Sequence, residues 1–160
     1  ATECRENERE TMLKYPETVL FRSAAAWAAI GLAGGLAYRE VTRAADFTGF
    51  TQLGLVHTHA LALGTLVLLV TLALERLFTL SADRRLGWFV WAWNAGLALT
   101  IGGLAVKGSL QVAGSASADA AALAGVAGTG HIVLAVGFVL LFGLLIGVTM
   151  FGDLPRLLRR

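Results

Sequence analysis

The chain has 160 residues, enough for one domain, and 56% of them are hydrophobic while only 15% are charged. A soluble domain carries about 45–50% and 25%, so composition excludes an ordinary soluble enzyme and points to an integral membrane protein. The net charge of +2 says little by itself, no nucleic-acid partner is expected, and the single Cys4 rules out an intrachain disulfide framework.

Residues 1–18 form a polar, charged tail that lacks the apolar core of a signal peptide. Cys4 reads as an incidental tail thiol, and Met12 is an alternative start. Four apolar runs follow, at about 19–38, 50–74, 86–106 and 120–151. Each has the roughly 20 residues that a helix needs to cross a bilayer. Exposed strand edges are not tolerated in lipid, so the runs are expected as helices. Turn signals separate them: Asp46 to Gly49, Ser81-Ala82-Asp83, and Gly114 to Asp119. The fold class is therefore all-α, a four-transmembrane-helix up-down bundle spanning 19–160, in contact with the lipid bilayer.

Orientation follows from the basic residues near the spans. One side carries Arg5, Arg9, Lys14, Arg22, Arg76, Arg84, Arg85, Arg156, Arg159 and Arg160, and the other only Arg39, Arg43 and Lys107. This bias predicts N and C termini in the cytoplasm of a bacterial cell, with the chain a multi-pass protein of the cytoplasmic (inner) membrane. Trp88, Trp91 and Trp93 gather at the cytoplasmic start of the third run, where aromatic belts anchor helices. Asn94, placed deeper, is positioned to bond across helices. Pro155 and the basic end after it read as a stop with a cytoplasmic anchor.

All three histidines lie inside apolar runs and none in a loop: His57 and His59 in the second, His131 in the fourth. Ionisable rings in membrane helices are expensive and mark functional sites. The second and fourth runs enter from the same side, so the three rings fall at similar depth in the outer half. Two residues subtend about 200° on a helix, so His57 and His59 point to nearly opposite faces. One of them can face His131 while the other faces a different partner. Imidazoles from separate helices can clamp a haem iron from both sides. The small residues Gly54, Ala60, Gly64, Gly128, Gly130 and Ala135 make room for a porphyrin, or simply let helices pack closely.

The expected site is haem b held by His57 and His131, with His59 as the substitute for His57. Arg39 and Lys107, the cations ending the first and third runs, are the expected propionate partners; Glu40, Gln52 and Gln111 lie at their level. The function this implies is electron transfer, or haem-based redox or gas sensing, near the outer face, through a redox partner that the sequence does not name. A copper or zinc site using His57 or His59 with His131 and Glu40 is the alternative. A cofactor-free membrane assembly protein with histidines titrating near neutral pH is the third reading.

The segments Tyr38-Arg39-Glu40, Leu53-Gly54-Leu55-Val56-His57-Thr58-His59, Lys107-Gly108-Ser109-Leu110-Gln111-Val112 and Gly130-His131-Ile132 carry a resemblance. Together they resemble an uncharacterised bacterial family of small four-span membrane proteins, a likeness that covers nearly the whole chain after the tail and implies no activity. Val56-His57-Thr58-His59-Ala60-Leu61 is also similar to the Leu-His-Thr-Asn segment in the main subunit of nitric oxide reductases and cbb3-type oxidases. There the histidine is an axial ligand of the low-spin haem b, and His57 matches it. This chain departs from those haem-copper proteins in having four spans instead of about twelve, and three histidines instead of six or more. Their large subunits consist of three similar four-helix arcs, so the resemblance implies a homo-oligomer, a trimer of the four-helix unit.

Overall fold

A helix satisfies its backbone N–H and C=O groups within its own segment, which is what hydrocarbon demands. The computed structural model describes residues 15–151 and is all-α, with no strand among the described residues. Its helices are α1 (Pro16–Ala44), α2 (Leu53–Phe78), α3 (Arg85–Val112) and α4 (Ala121–Phe151). All four are long and apolar enough to span a membrane, as a multi-pass membrane protein requires. Cys4, Met12, Lys14, Pro155 and the basic residues after it lie outside the described residues.

The helices run past the ends of the apolar stretches, because a helix continues until a stop signal arrives. Pro16 opens α1 with Glu17 in its first turn, placements that suit a missing N–H and the positive end of the helix dipole. The helix then continues through Arg39, Glu40 and Arg43, and the chain turns at Asp46 with φ 49°. The α2–α3 link turns at Thr79, φ 52°, whose N–H donates to the Glu75 carbonyl at 2.7 Å. The buried Glu75 carboxylate accepts from the Ser81 N–H at 2.8 Å and the Ser81 hydroxyl at 2.6 Å. Asp83 then accepts from the Arg85 N–H at 2.8 Å, giving α3 its start. A short 3-10 turn, Ala116–Asp119, leads from α3 into α4.

In the apolar stretch of α3, 56% of residues are buried, against 22% in each of the other three helices. That difference puts α3 at the centre, with α2 and α4 on its flanks and α1 packed mainly on α2. Lipid gives helices no hydrophobic reason to associate, so close van der Waals fit has to hold them. Glycines provide that fit: Gly108 lies against the Leu53 backbone, and Gly130 against Thr100 and the Gly96 carbonyl. A Cβ on Gly103 would come 3.1 Å from the Ala127 Cβ. Between α1 and α2, Gly31 meets Leu61, Gly34 meets Val56, and Gly64 meets Trp27. Polar ties supplement the packing. Trp27 Nε1–H donates to Asn94 Oδ1 at 2.8 Å, so Asn94 does bond across helices, and Thr51 donates to the Gly108 carbonyl at 2.8 Å.

Trp93 corrects one expectation. Trp88 and Trp91 are exposed, as interfacial anchors should be, but Trp93 is fully buried between α2 and α4. Two residues after Trp91 the helix has turned about 200°, and its aromatic side chain points inward.

Candidate cofactor site

The site is set by the winding of α2. Residues Leu53–His59 are α-helical, Ala60–Leu66 wind as a π-helix, and Val67–Phe78 return to α. Such wide turns are rare and concentrate at functional sites. Gly64 lets the wide turn accept Trp27, since a Cβ there would lie 2.5 Å from the Trp27 Cβ. The Thr65 hydroxyl reaches the Ala60 carbonyl at 3.3 Å, and Trp93 Nε1–H donates to the Leu63 carbonyl at 2.9 Å.

Immediately before this segment, His59 faces α4. Its ring and that of His131 have centres 6.1 Å apart, with their planes at 82°. In each ring Nδ1 lies against a carbonyl one turn earlier on its own helix: Leu55 at 2.9 Å for His59 and Ala127 at 2.8 Å for His131. A carbonyl can only accept, so Nδ1–H is the donor in both rings, and the tautomer this selects is the one whose Nε2 offers a lone pair. Metal-binding histidines are oriented in this way, with one nitrogen bonded to the protein and the other left for the ion. His131 is exposed, His59 half-buried, and a Cβ on Gly125 or Gly128 of α4 would meet nothing within 4 Å.

His57 is elsewhere. Its Cβ and ring pack over Gly35 of α1, and its ring stacks on Tyr38 with centres 6.4 Å apart and planes at 19°. Its Nδ1 is buried without a hydrogen-bond partner. The structure thus pairs His131 with His59 and turns His57 to the opposite side of α2. The expected axial pair, His57 with His131, is not the pair that faces, and the expected substitute takes its place.

The two expected propionate partners also separate. Gly103 of α3 packs on Ala127 of α4, and Lys107 is one turn further along the same face. Lys107 therefore stands on the α4 side, about 12 Å along the axis from the level of His131. Arg39 is on α1, the helix that packs on the His57 face, where it is exposed and paired with Glu40 at 3.1 Å. Glu40 is committed to that pair, and the Gln111 side chain accepts from the Gln52 N–H at 2.8 Å. Among the described residues no group of three or more His, Cys, Asp and Glu side chains is arranged to hold a metal ion.

Sequence reasoning missed the π segment and the role of Trp93 in it. The signal available was slight: a Gly64-Thr65 pair interrupting an apolar run, and a tryptophan at a phase opposite to its neighbours. Residues 18–148 match the family described as Protein of unknown function (DUF2871). No curated protein and no solved structure matches the chain.

Proposed function

This chain belongs to the DUF2871 family, whose description assigns no activity, and from its own residues we propose that it is a membrane haem b protein for electron transfer. In this reading His59 and His131 would hold the haem iron, each through Nε2. The observation that carries it is the facing pair. A metal lies about 2 Å from a ligating imidazole nitrogen, and the ring centre about 1 Å further, so two rings on opposite sides of one iron have centres about 6 Å apart. In the structure the two ring centres are 6.1 Å apart.

Ligand count favours haem over copper or zinc. A zinc site takes four protein ligands, or three with water, and the described residues offer this pair no third His, Cys, Asp or Glu. A porphyrin contributes the equatorial nitrogens itself, so two imidazoles suffice. The bound haem would supply a one-electron iron couple, and because two histidines would hold the iron, electron transfer would be favoured over gas binding. Gly125 and Gly128 keep the α4 surface before His131 free of side chains, and Lys107 would be the cation to meet a propionate. The likeness of Val56 to Leu61 to a haem b ligand segment supports the class of cofactor, with the ligand two residues further on in this chain. The Lys and Arg distribution supports cytoplasmic termini and a site in the outer half of the inner membrane. Copies of the chain would associate at the open side of the pair, where exposed His131 otherwise meets lipid, and a trimer is the form the three-arc likeness suggests.

The test is an absorption spectrum of the detergent-purified protein after expression with ample haem, oxidised and then reduced. A Soret band with sharp reduced α and β bands, lost in His131→Ala, is the expected result. A colourless protein carrying copper or zinc would replace this reading with the metal site, and a colourless, metal-free protein with the assembly role.

A further inference from the structure

Why His59 and not His57 faces α4 is a question of helix phase. Each residue of register rotates an α-helix by about 100°. A segment that winds i→i+5 and then resumes i→i+4 absorbs one residue more than an α-helix of the same phase. It also has one more carbonyl than it has N–H groups to serve it. In hydrocarbon such a carbonyl needs a donor from elsewhere.

Trp93 is placed to meet that need. It is fully buried on the central helix, and its Nε1–H donates to the Leu63 carbonyl at 2.9 Å, inside the π segment Ala60–Leu66. The other face of its side chain reaches α4: a Cβ on Gly137 would lie 2.7 Å from the Trp93 ring, and the Phe138 ring stands edge-on to it with centres 4.7 Å apart. One side chain therefore touches both helices that carry the histidine pair. The π segment begins immediately after His59, so whatever fixes its winding fixes the direction of that ring.

We infer that Trp93 is the positioning residue for His59: its indole N–H holds α2 in the π register and so turns His59 toward His131. This inference rests on the reading of the pair as a ligand set, but its test needs no haem. In a Cys4→Ser background, His59→Cys and His131→Cys are introduced and joined in membranes by a short thiol cross-linker. Adding Trp93→Phe keeps an aromatic ring on the side of Gly137 and Phe138 and removes the N–H together with part of the indole's bulk, a packing loss that rescue by deletion of Ala62 separates from the loss of the donor. The cross-linking yield is expected to fall about three- to five-fold, the factor that one hydrogen bond in a membrane interior is worth.

Deleting the exposed Ala62 from that variant removes the surplus residue, lets the segment wind as plain α with the phase of both halves kept, and is expected to restore the yield. Unchanged cross-linking in Trp93→Phe overturns the inference. So does a loss that the Ala62 deletion does not rescue, since that marks a packing role alone. If Trp93→Phe by itself does not accumulate in membranes, the deletion variant decides by the same criterion. With haem, Trp93→Phe is expected to convert part of the six-coordinate spectrum to five-coordinate, again reversed by the deletion. Efficient cross-linking in the double-cysteine protein that retains Trp93, together with a wild-type protein that binds no haem, would refute the haem reading and leave the positioning role standing.

Discussion

The two faces of α2 present the same side chain in opposite conditions. On the α4 face, His59 and His131 each lean Nδ1 on a carbonyl of their own helix and leave Nε2 free at the open edge of the bundle. On the α1 face, His57 lies over Gly35 and Tyr38 with its Nδ1 buried and unpartnered. Residue type alone does not make a ligand site. The α4 face is organised so that a nitrogen lone pair is offered, and the α1 face so that a ring is packed.

The largest way to break this contrast is to disturb the helix crossing that brings His131 into position. A side chain on Gly130 meets Thr100 and the Gly96 carbonyl. Gly130→Val is expected to push α4 off α3, destabilise the protein by about 1–3 kcal/mol as overpacking does, and abolish the paired-histidine spectrum. Denaturation in detergent followed by tryptophan fluorescence measures the first effect, and visible absorption the second.

A smaller effect separates the two cations. Lys107→Ala is expected to weaken haem retention several-fold, by the ~1 kcal/mol that one exposed charge pair contributes. Arg39→Ala, on the far side of α2, is expected to leave it unchanged. Competition for haem against apomyoglobin reads both. Equal losses in the two variants would remove the distinction between the faces.

The smallest effect is on stability alone. His57→Phe keeps a ring against Tyr38 and removes a buried nitrogen that has no partner. Removing an unsatisfied group in this way is neutral or stabilising by up to about 1 kcal/mol. A clear loss of stability in the same unfolding assay would mean that His57 has a partner in the folded protein.

How far the sequence carried these results depends on the kind of information involved. Run length, turn signals and charge placement are local, and they made the four helices and their order legible. So was the common level of His59 and His131, because the second and fourth spans enter from the same side and the distance of each ring from that end can be counted. The opposed directions of His57 and His59 followed from helix geometry as well. Which of them faces α4 was not legible. That depends on where α1 lands, through Gly31, Gly34 and Gly35, and on a surplus residue taken up between Ala60 and Leu66. Trp93 was misjudged for a related reason: its sequence neighbours Trp88 and Trp91 are exposed, and only its phase on α3 sends it inward.

The central claim is that the ligand face of α2 belongs to His59 and the packing face to His57. The most direct measurement is the reduced-minus-oxidised visible spectrum of His59→Ala and His57→Ala, purified side by side after expression with haem. The account predicts that His59→Ala loses the sharp six-coordinate bands while His57→Ala keeps them at wild-type intensity. Bands that survive in His59→Ala and vanish in His57→Ala would contradict it, and would return the axial position to the residue facing α1.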